Sequence, residues 1–89
     1  MMTYDETKRQ TNLAKHGIDL ADVGSVFDGF MNTVEDARFA YHEQRLQSLG
    51  WFRDRVVFLV WTDREIGPHV ISCRYGTRHE TQQYFQACL

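Results

Sequence analysis

The sequence predicts a small α+β domain, with an antiparallel sheet of about four strands, two N-terminal helices and one C-terminal helix. The run Arg55–Thr62 is β-branched and aromatic without a polar interruption, which is typical of a central strand covered on both faces. After a second apolar run at His69–Tyr75, Thr77 and Glu80 have the spacing of a capping box that opens a helix. An apolar stripe over residues 20–27 predicts an earlier helix lying on the sheet.

Length and composition favour one globular domain spanning residues 1–89. The 89 residues are 43% hydrophobic, and a chain of this size buries roughly 60–65% of its unfolded surface. No segment is apolar over the length of a bilayer, and Met1–Asp5 lacks the basic start and apolar core of a secretion signal. We therefore expect a cytoplasmic protein without a membrane partner. We also expect Cys73 and Cys88 to be reduced thiols.

The charge is mildly acidic but unevenly distributed. A formal net charge of -2 argues against a uniformly basic nucleic-acid-binding surface. Acidic residues crowd the first half of the chain, whereas Arg64, Arg74 and Arg78 fall in the last third. A local basic patch is therefore compatible with the acidic total.

The first helix has an unusual polar side. Met2–Tyr4 predicts a short strand, after which Asp5 caps a helix that ends near His16. Polar residues recur at helical spacing along this helix: Lys8, Asn12 and Lys15. The stripe is either a face exposed to solvent or a face that contacts a ligand, and the pattern favours neither interpretation over the other.

The middle of the chain alternates apolar runs with turn residues. The predicted elements are a helix at Leu20–Phe27 capped by Asp19, an edge strand at Met31–Val34, a turn or loop at Glu35–Arg38, a strand at Arg45–Phe52, a hairpin turn at Arg53–Asp54 and a turn at Asp63–Pro68. The final helix places Thr81, Tyr84, Phe85 and Cys88 on one face, which we expect to close the core.

Short motifs follow one another in a recognisable order along nearly the whole chain. They are Tyr4-Asp5-Glu6 with Lys8, Asn12–Gly17, Val26-Phe27-Asp28, Glu43 with Arg45, Arg55-Val56-Val57, Trp61–Arg64, Ile71-Ser72 with Arg74, and Arg78 through Glu80 to Tyr84. As an ordered set, they resemble the BrnT family of toxins from bacterial type II toxin–antitoxin systems.

The resemblance implies a RelE-like fold and an endoribonuclease that cleaves RNA without a metal or cofactor, inhibiting translation and growth. It further implies a cognate BrnA-like antitoxin of the ribbon-helix-helix class. The toxin would join this antitoxin in a heterotetramer and would reach DNA only through it.

Metal-free RNA cleavage needs a base for the ribose 2′-hydroxyl, cations for the phosphorane and an acid for the departing 5′-oxygen. We expect Arg64, Arg74 and Arg78 to form a phosphate clamp. Any one of these arginines could instead pair with a carboxylate such as Glu43 or Glu80, because surface ion pairs are common.

For the general base, Glu43 and His79 compete. His16 ranks behind them, because a histidine before a helix-ending glycine is more simply a cap. Further RNA contacts are expected from Lys8, Lys15, Arg45 and Tyr84. For Tyr84, stacking on a base competes with a core position that leaves its hydroxyl at the surface.

Metal and cofactor motifs are absent from the sequence. Four histidines and two cysteines are scattered without CxxC-type spacing, and neither a P-loop nor a GxGxxG turn occurs. We therefore expect neither a metal site nor a cofactor.

A second functional hypothesis is a catalytically weak or inactive module that binds the antitoxin as a co-repressor. It is motivated by the acidic net charge and by His69, which stands where the BrnT family commonly has an arginine.

Overall fold

The structure, a computed structural model, describes residues 1–36 and 43–89. Its elements are β1 (Thr3–Tyr4), α1 (Glu6–His16), a 3₁₀ helix (Leu20–Asp28), β2 (Asn32–Asp36), β3 (Arg45–Phe52), β4 (Arg55–Arg64), β5 (Gly67–Tyr75) and α2 (Arg78–Cys88). The predicted α+β class is confirmed. No helix in these residues is long and apolar enough to cross a membrane.

The sheet has five strands in the order β1-β5-β4-β3-β2, so the strand predicted to be central is the central one. Strands β2 to β5 form an antiparallel meander. The short β1 joins in parallel with β5, pairing Thr3 with His69 and Tyr4 with Val70. The sequence predicts this strand but not its parallel pairing, because a two-residue strand carries no register signal.

Two helices cover opposite faces of β4, because its side chains alternate between the faces. On one face, the core joins the 3₁₀ helix to the sheet through Leu20, Val23, Val26, Val57 and Leu59. On the other face, α2 packs Tyr84 against Leu49 and Val56, with Phe58 beside them.

Helix α1 attaches to the sheet through a polar side chain. Asn12 is 4% exposed, and its amide nitrogen donates to the carbonyls of Ile18 and Cys73 at 2.8 and 2.9 Å. Its amide oxygen accepts from the Cys73 backbone N–H at 3.0 Å. Asn12 therefore provides hydrogen-bond partners for the backbone of β5 at its edge, beyond the point where β1 ends. This bonding excludes it from a ligand-facing stripe.

Several predicted boundaries shift. The second helix is a 3₁₀ helix, and β2 continues through Glu35 and Asp36, where a turn or loop was predicted; residues 37 and 38 of that turn lie outside the described residues. The turn predicted at Asp63–Pro68 contracts to the two residues between β4 and β5. Of the four α2 residues predicted to close the core, only Tyr84 is buried; Thr81 is half-buried, and Phe85 and Cys88 are exposed.

Candidate functional site

Arg64 and Arg74 lie on the same face of the sheet but at opposite ends of it. The register places Arg74 opposite Phe58 and Arg64 opposite Gly67. Phe58 and Arg64 are six residues apart on β4, which is about 20 Å at the rise of an extended strand. The expectation that Arg64, Arg74 and Arg78 gather around one phosphate is therefore wrong for Arg64, because antiparallel neighbours place their C-terminal ends at opposite edges.

At one end, Glu43 holds Arg64 by two hydrogen bonds. Arg64 Nε and Nη2 donate to Oε2 and Oε1 of Glu43 at 3.2 and 2.7 Å. The bond from Arg64 lowers the pKa of Glu43, so this carboxyl is an anion at neutral pH. A carboxylate engaged in this way suits the positioning of Arg64 better than proton removal, the role for which the sequence made it a candidate.

His69 is the residue that the sequence analysis missed as a site candidate. It is half-buried opposite Thr62, and its Nδ1 lies 2.7 Å from the hydroxyl of Thr3. Burial, and then the charge of Arg64, lower its pKa from the ordinary 6.5. The antiparallel pairing of β4 with β5 brings His69 to Arg64, so a register for the hairpin would have revealed it.

Two further cations belong to this end of the sheet. The positive charge of Lys8 helps to lower the pKa of His69, and the positive charge of Arg45 helps to lower the pKa of Glu43. We call this set the Arg64 cluster: Lys8, Glu43, Arg45, Arg64 and His69. It unites four of the residues predicted for catalysis or RNA binding with one that was not predicted.

At the opposite end, Arg74 joins β5 to the start of α2. Its Nη1 and Nη2 donate to Oε1 and Oε2 of Glu80 at 2.8 and 3.0 Å, and Nη1 also donates to the Tyr75 carbonyl at 3.2 Å. Glu80 additionally accepts from the Thr77 backbone N–H at 2.8 Å, which completes the predicted capping box. Bonding to Arg74 lowers the pKa of Glu80 to about 2. This network gives Arg74 a structural role and leaves few of its donors for a phosphate.

The other predicted residues that are exposed fall in two places. Arg78 and His79 are exposed in the first turn of α2, at the Arg74 end of the face. Lys15 is exposed on α1 and lines a surface pocket together with Lys8 and His16.

Tyr84 corrects a prediction. It is 6% exposed, and its hydroxyl donates to the Phe30 carbonyl at 3.2 Å. Its ring lies 5.5 to 6.5 Å, between centroids, from the rings of Phe30, Trp51 and Phe85. Tyr84 is a core tyrosine and not a platform for an RNA base, because neighbouring rings already occupy its surface.

Metal ligands do not cluster in the part of the chain that the structure describes. Within residues 1–36 and 43–89, no group of three or more histidine, cysteine, aspartate or glutamate side chains could hold a metal ion. Cys73 is buried, which raises the pKa of its thiol to about 12. It packs as an inert core residue.

Comparison with known proteins identifies the family of the chain. A family model described as the ribonuclease toxin BrnT of type II toxin–antitoxin systems matches residues 4–80. No curated protein matches the chain. The matched range contains the whole Arg64 cluster and the Arg74–Glu80 pair, and it covers most of the chain. The chain therefore belongs to the BrnT family of ribonuclease toxins from type II toxin–antitoxin systems.

Proposed function

We propose that this toxin is an endoribonuclease that cleaves RNA without a metal, and that the Arg64 cluster is its reaction centre. The observation that carries the proposal is the placement of Arg64 and Lys8 near His69, whose pKa is lowered, with Arg45 near the Glu43 carboxylate that holds Arg64. Cations there stabilise the negative charge of a phosphorane, and a neutral imidazole accepts a proton at pH 7.

His69 is the proposed general base. In the tautomer whose Nδ1–H donates to Thr3 Oγ1, Nε2 carries the basic lone pair. That nitrogen would take the proton of the ribose 2′-hydroxyl as its oxygen attacks the adjacent phosphate. The attack breaks the bond from phosphorus to the 5′-oxygen, which takes a proton from water, and so leaves a 2′,3′-cyclic phosphate on one product and a 5′-hydroxyl on the other.

Arg64 is the proposed phosphate ligand. Its two hydrogen bonds to Glu43 fix the plane of the guanidinium and leave further N–H donors for phosphate oxygens. Lys8 and Arg45 add positive charge near the same point. At the far end of the face, Arg78 and His79 are proposed to contact the RNA backbone, because both are exposed there.

The test is a cleavage assay with the purified toxin and a defined RNA in excess EDTA. We expect cleavage that EDTA does not slow, with 2′,3′-cyclic phosphate ends. Removal of a well-placed cation costs on the order of a hundredfold in rate, so Arg64→Ala should lose about that much. Arg53→Ala is the matched control, because Arg53 is an exposed arginine on the hairpin at the other end of β4. Equal rates for the two variants would remove the Arg64 cluster from the reaction.

The partner is proposed to be a ribbon-helix-helix antitoxin in a heterotetramer. An exposed aromatic surface supports a protein partner: the half-exposed rings of Trp51 and Phe85 lie 5.8 Å apart, and both contact the ring of Tyr84. Contiguous exposed apolar surface of this kind marks interaction sites.

One observation favours the second candidate function, an inactive toxin retained as a co-repressor. Both Arg64 and Arg74 are held by two hydrogen bonds to a carboxylate, which offsets their charge. A protein that leaves RNA intact in the cleavage assay and still binds its antitoxin would support this function in place of the first.

A further inference from the structure

A pocket of about 210 Å³ opens on the α2 side of the sheet, between α2 and strands β2 and β3. Its apolar surface comes from Val34, Leu49 and Phe58, and three carboxamides line it: Asn32, Gln47 and Gln83. We call it the amide pocket. It is outside the Arg64 cluster and shares none of its residues.

The sheet register explains why the carboxamides meet. Asn32 pairs with Leu49 across β2 and β3, and Gln47 pairs with Val60 across β3 and β4, so both side chains project from the α2 face. Gln83 reaches the same pocket from α2. Among the residues that the structure describes, these three carboxamides make no hydrogen bond to another protein group. Their donors and acceptors are therefore available to a ligand.

Charge narrows the class of ligand. The Glu80 carboxylate lines the pocket and is an anion at neutral pH, because its pKa is lowered to about 2. A phosphate would be repelled there, whereas an uncharged group with N–H donors would be accepted. Oε2 of Glu80 accepts one hydrogen bond, from Arg74, and retains capacity for another.

We propose that the amide pocket binds one unpaired nucleobase of the RNA substrate, a base with an exocyclic amino group, and so sets the base preference of cleavage. The volume is below that of pockets for drug-sized ligands and suits a single flat ring system. Phe58 and Leu49 contact the base, and the carboxamides and Glu80 bond to its polar edge. Arg74 borders the pocket, because its guanidinium carbon lies 4.4 Å from the centre of the Phe58 ring. This inference rests on the proposed ribonuclease function.

The test is binding of 2′-O-methyl RNA, which cannot be cleaved by 2′-hydroxyl attack. The probes are hexauridylate and three hexamers with a single central adenosine, cytidine or guanosine. We expect at least one of the three to bind about tenfold more tightly than hexauridylate, since one well-placed pair of hydrogen bonds discriminates to that degree. The side-chain amide signals of Asn32, Gln47 and Gln83 should shift in the NMR spectrum on binding.

Variants separate the pocket from the general surface of the toxin. Gln47→Leu and Gln83→Leu remove carboxamides from the pocket, whereas Gln82→Leu changes an exposed neighbour on the same helix that does not line it. Pocket variants should abolish the tenfold preference, and Gln82→Leu should retain it. Equal affinities of the unmodified toxin for all four hexamers, or an unchanged preference in both pocket variants, would overturn the inference.

The binding assay tests the pocket, and the cleavage assay tests the proposed catalysis, so either proposal can be refuted without the other. A toxin that discriminates the hexamers through the pocket but cleaves no RNA would support the pocket and refute the proposed catalysis. A toxin that cleaves RNA with the same base preference in Gln47→Leu, Gln83→Leu and Gln82→Leu would refute the pocket and leave catalysis standing.

Discussion

Glu80 both caps helix α2 and binds a side chain of the sheet. It accepts hydrogen bonds from Arg74 on β5 and from the backbone of Thr77, so one carboxylate serves a strand end and a helix start. Its pKa of about 2 lies below the ordinary 4.5, which means that the folded state favours the anion. The contribution to stability is complete above about pH 4.5 and disappears as the pH falls towards 2.

Replacing Glu80 by glutamine should therefore remove the part of the loss of folding stability at low pH that comes from protonation of Glu80. We expect Glu80→Gln to lower the free energy of unfolding by about 1–2 kcal/mol at pH 7, because charge-assisted bonds are lost, and by much less near pH 2. Urea unfolding at pH 7, 4 and 2 measures this difference. Glu35→Gln, at an exposed position of β2, is the control; if both variants showed the same pH profile, the linkage to Glu80 would be refuted.

His69 and His79 can be distinguished by the pH dependence of cleavage. If His69 is the base, kcat/KM should rise with pH through a midpoint below 6.5, because burial and Arg64 lower the pKa of its imidazole. We expect His69→Gln to lose this acid limb and about a hundredfold in rate. His79→Gln should retain the limb, and its disappearance in that variant instead would transfer the role of base to His79.

At the scale of elements, α1 depends on Asn12 because it has little apolar surface to bury. Leu13, one of its few apolar residues, is 45% exposed. Arg9 adds a second polar attachment, donating to both carboxylate oxygens of Asp19 at 2.8 and 2.9 Å. We therefore expect loss of the buried side-chain amide of Asn12 to weaken the packing of α1 on the sheet.

We expect Asn12→Ala to lower the free energy of unfolding by about 2–3 kcal/mol, since backbone groups of Cys73 and Ile18 would remain buried without partners. Thr11→Ala, at the preceding exposed position, should change it by less than about 0.5 kcal/mol. Urea unfolding compares the two variants. Similar midpoints would show that the amide does not hold α1.

The 3₁₀ helix packs so closely on β3 that only glycine fits at position 50. A Cβ atom there would overlap Cγ1 of Val26. We expect Gly50→Ala to destabilise the fold by about 1–3 kcal/mol, and Val26→Ala to offset part of this loss in the double variant. Gly29→Ala is the control, because a Cβ at Gly29 meets nothing within 4 Å. Additive effects of Gly50→Ala and Val26→Ala would contradict the proposed overlap.

At the scale of the whole molecule, one sheet face carries three features, two of which share Glu80. The Arg64 cluster occupies one end, the Arg74–Glu80 pair the other, and the amide pocket lies beside Phe58 under α2. Because about 20 Å of strand separates the two arginine pairs, a single phosphate cannot contact both. An RNA strand along this face could contact both ends through different nucleotides.

Growth of bacteria expressing the toxin tests this arrangement as a whole. We expect expression of the toxin alone to arrest growth, and co-expression of a ribbon-helix-helix antitoxin to restore it. Arg64→Ala should relieve the arrest, whereas Arg53→Ala should not. Arrest by Arg64→Ala as strong as that by the unchanged toxin, at equal protein levels, would contradict the assignment of the Arg64 cluster.

The sequence by itself determined the elements that depend on local chemistry. Strand Arg45–Phe52 has the predicted bounds, and the capping box at Thr77 opens α2 where predicted. Gly17 ends α1 in the left-handed conformation, with φ of 72°. Caps, turns and apolar runs act over a few residues, so one stretch of chain is enough to specify them.

Only the tertiary structure decided which distant side chains meet. The register of β4 with β5 brought His69 to Arg64 and carried Arg74 to the other end of the face. Pairing with Glu80 gave Arg74 a structural role, and the edge of β5 did the same for Asn12. Register depends on contacts across the whole sheet, because every strand must present its apolar side to the same core.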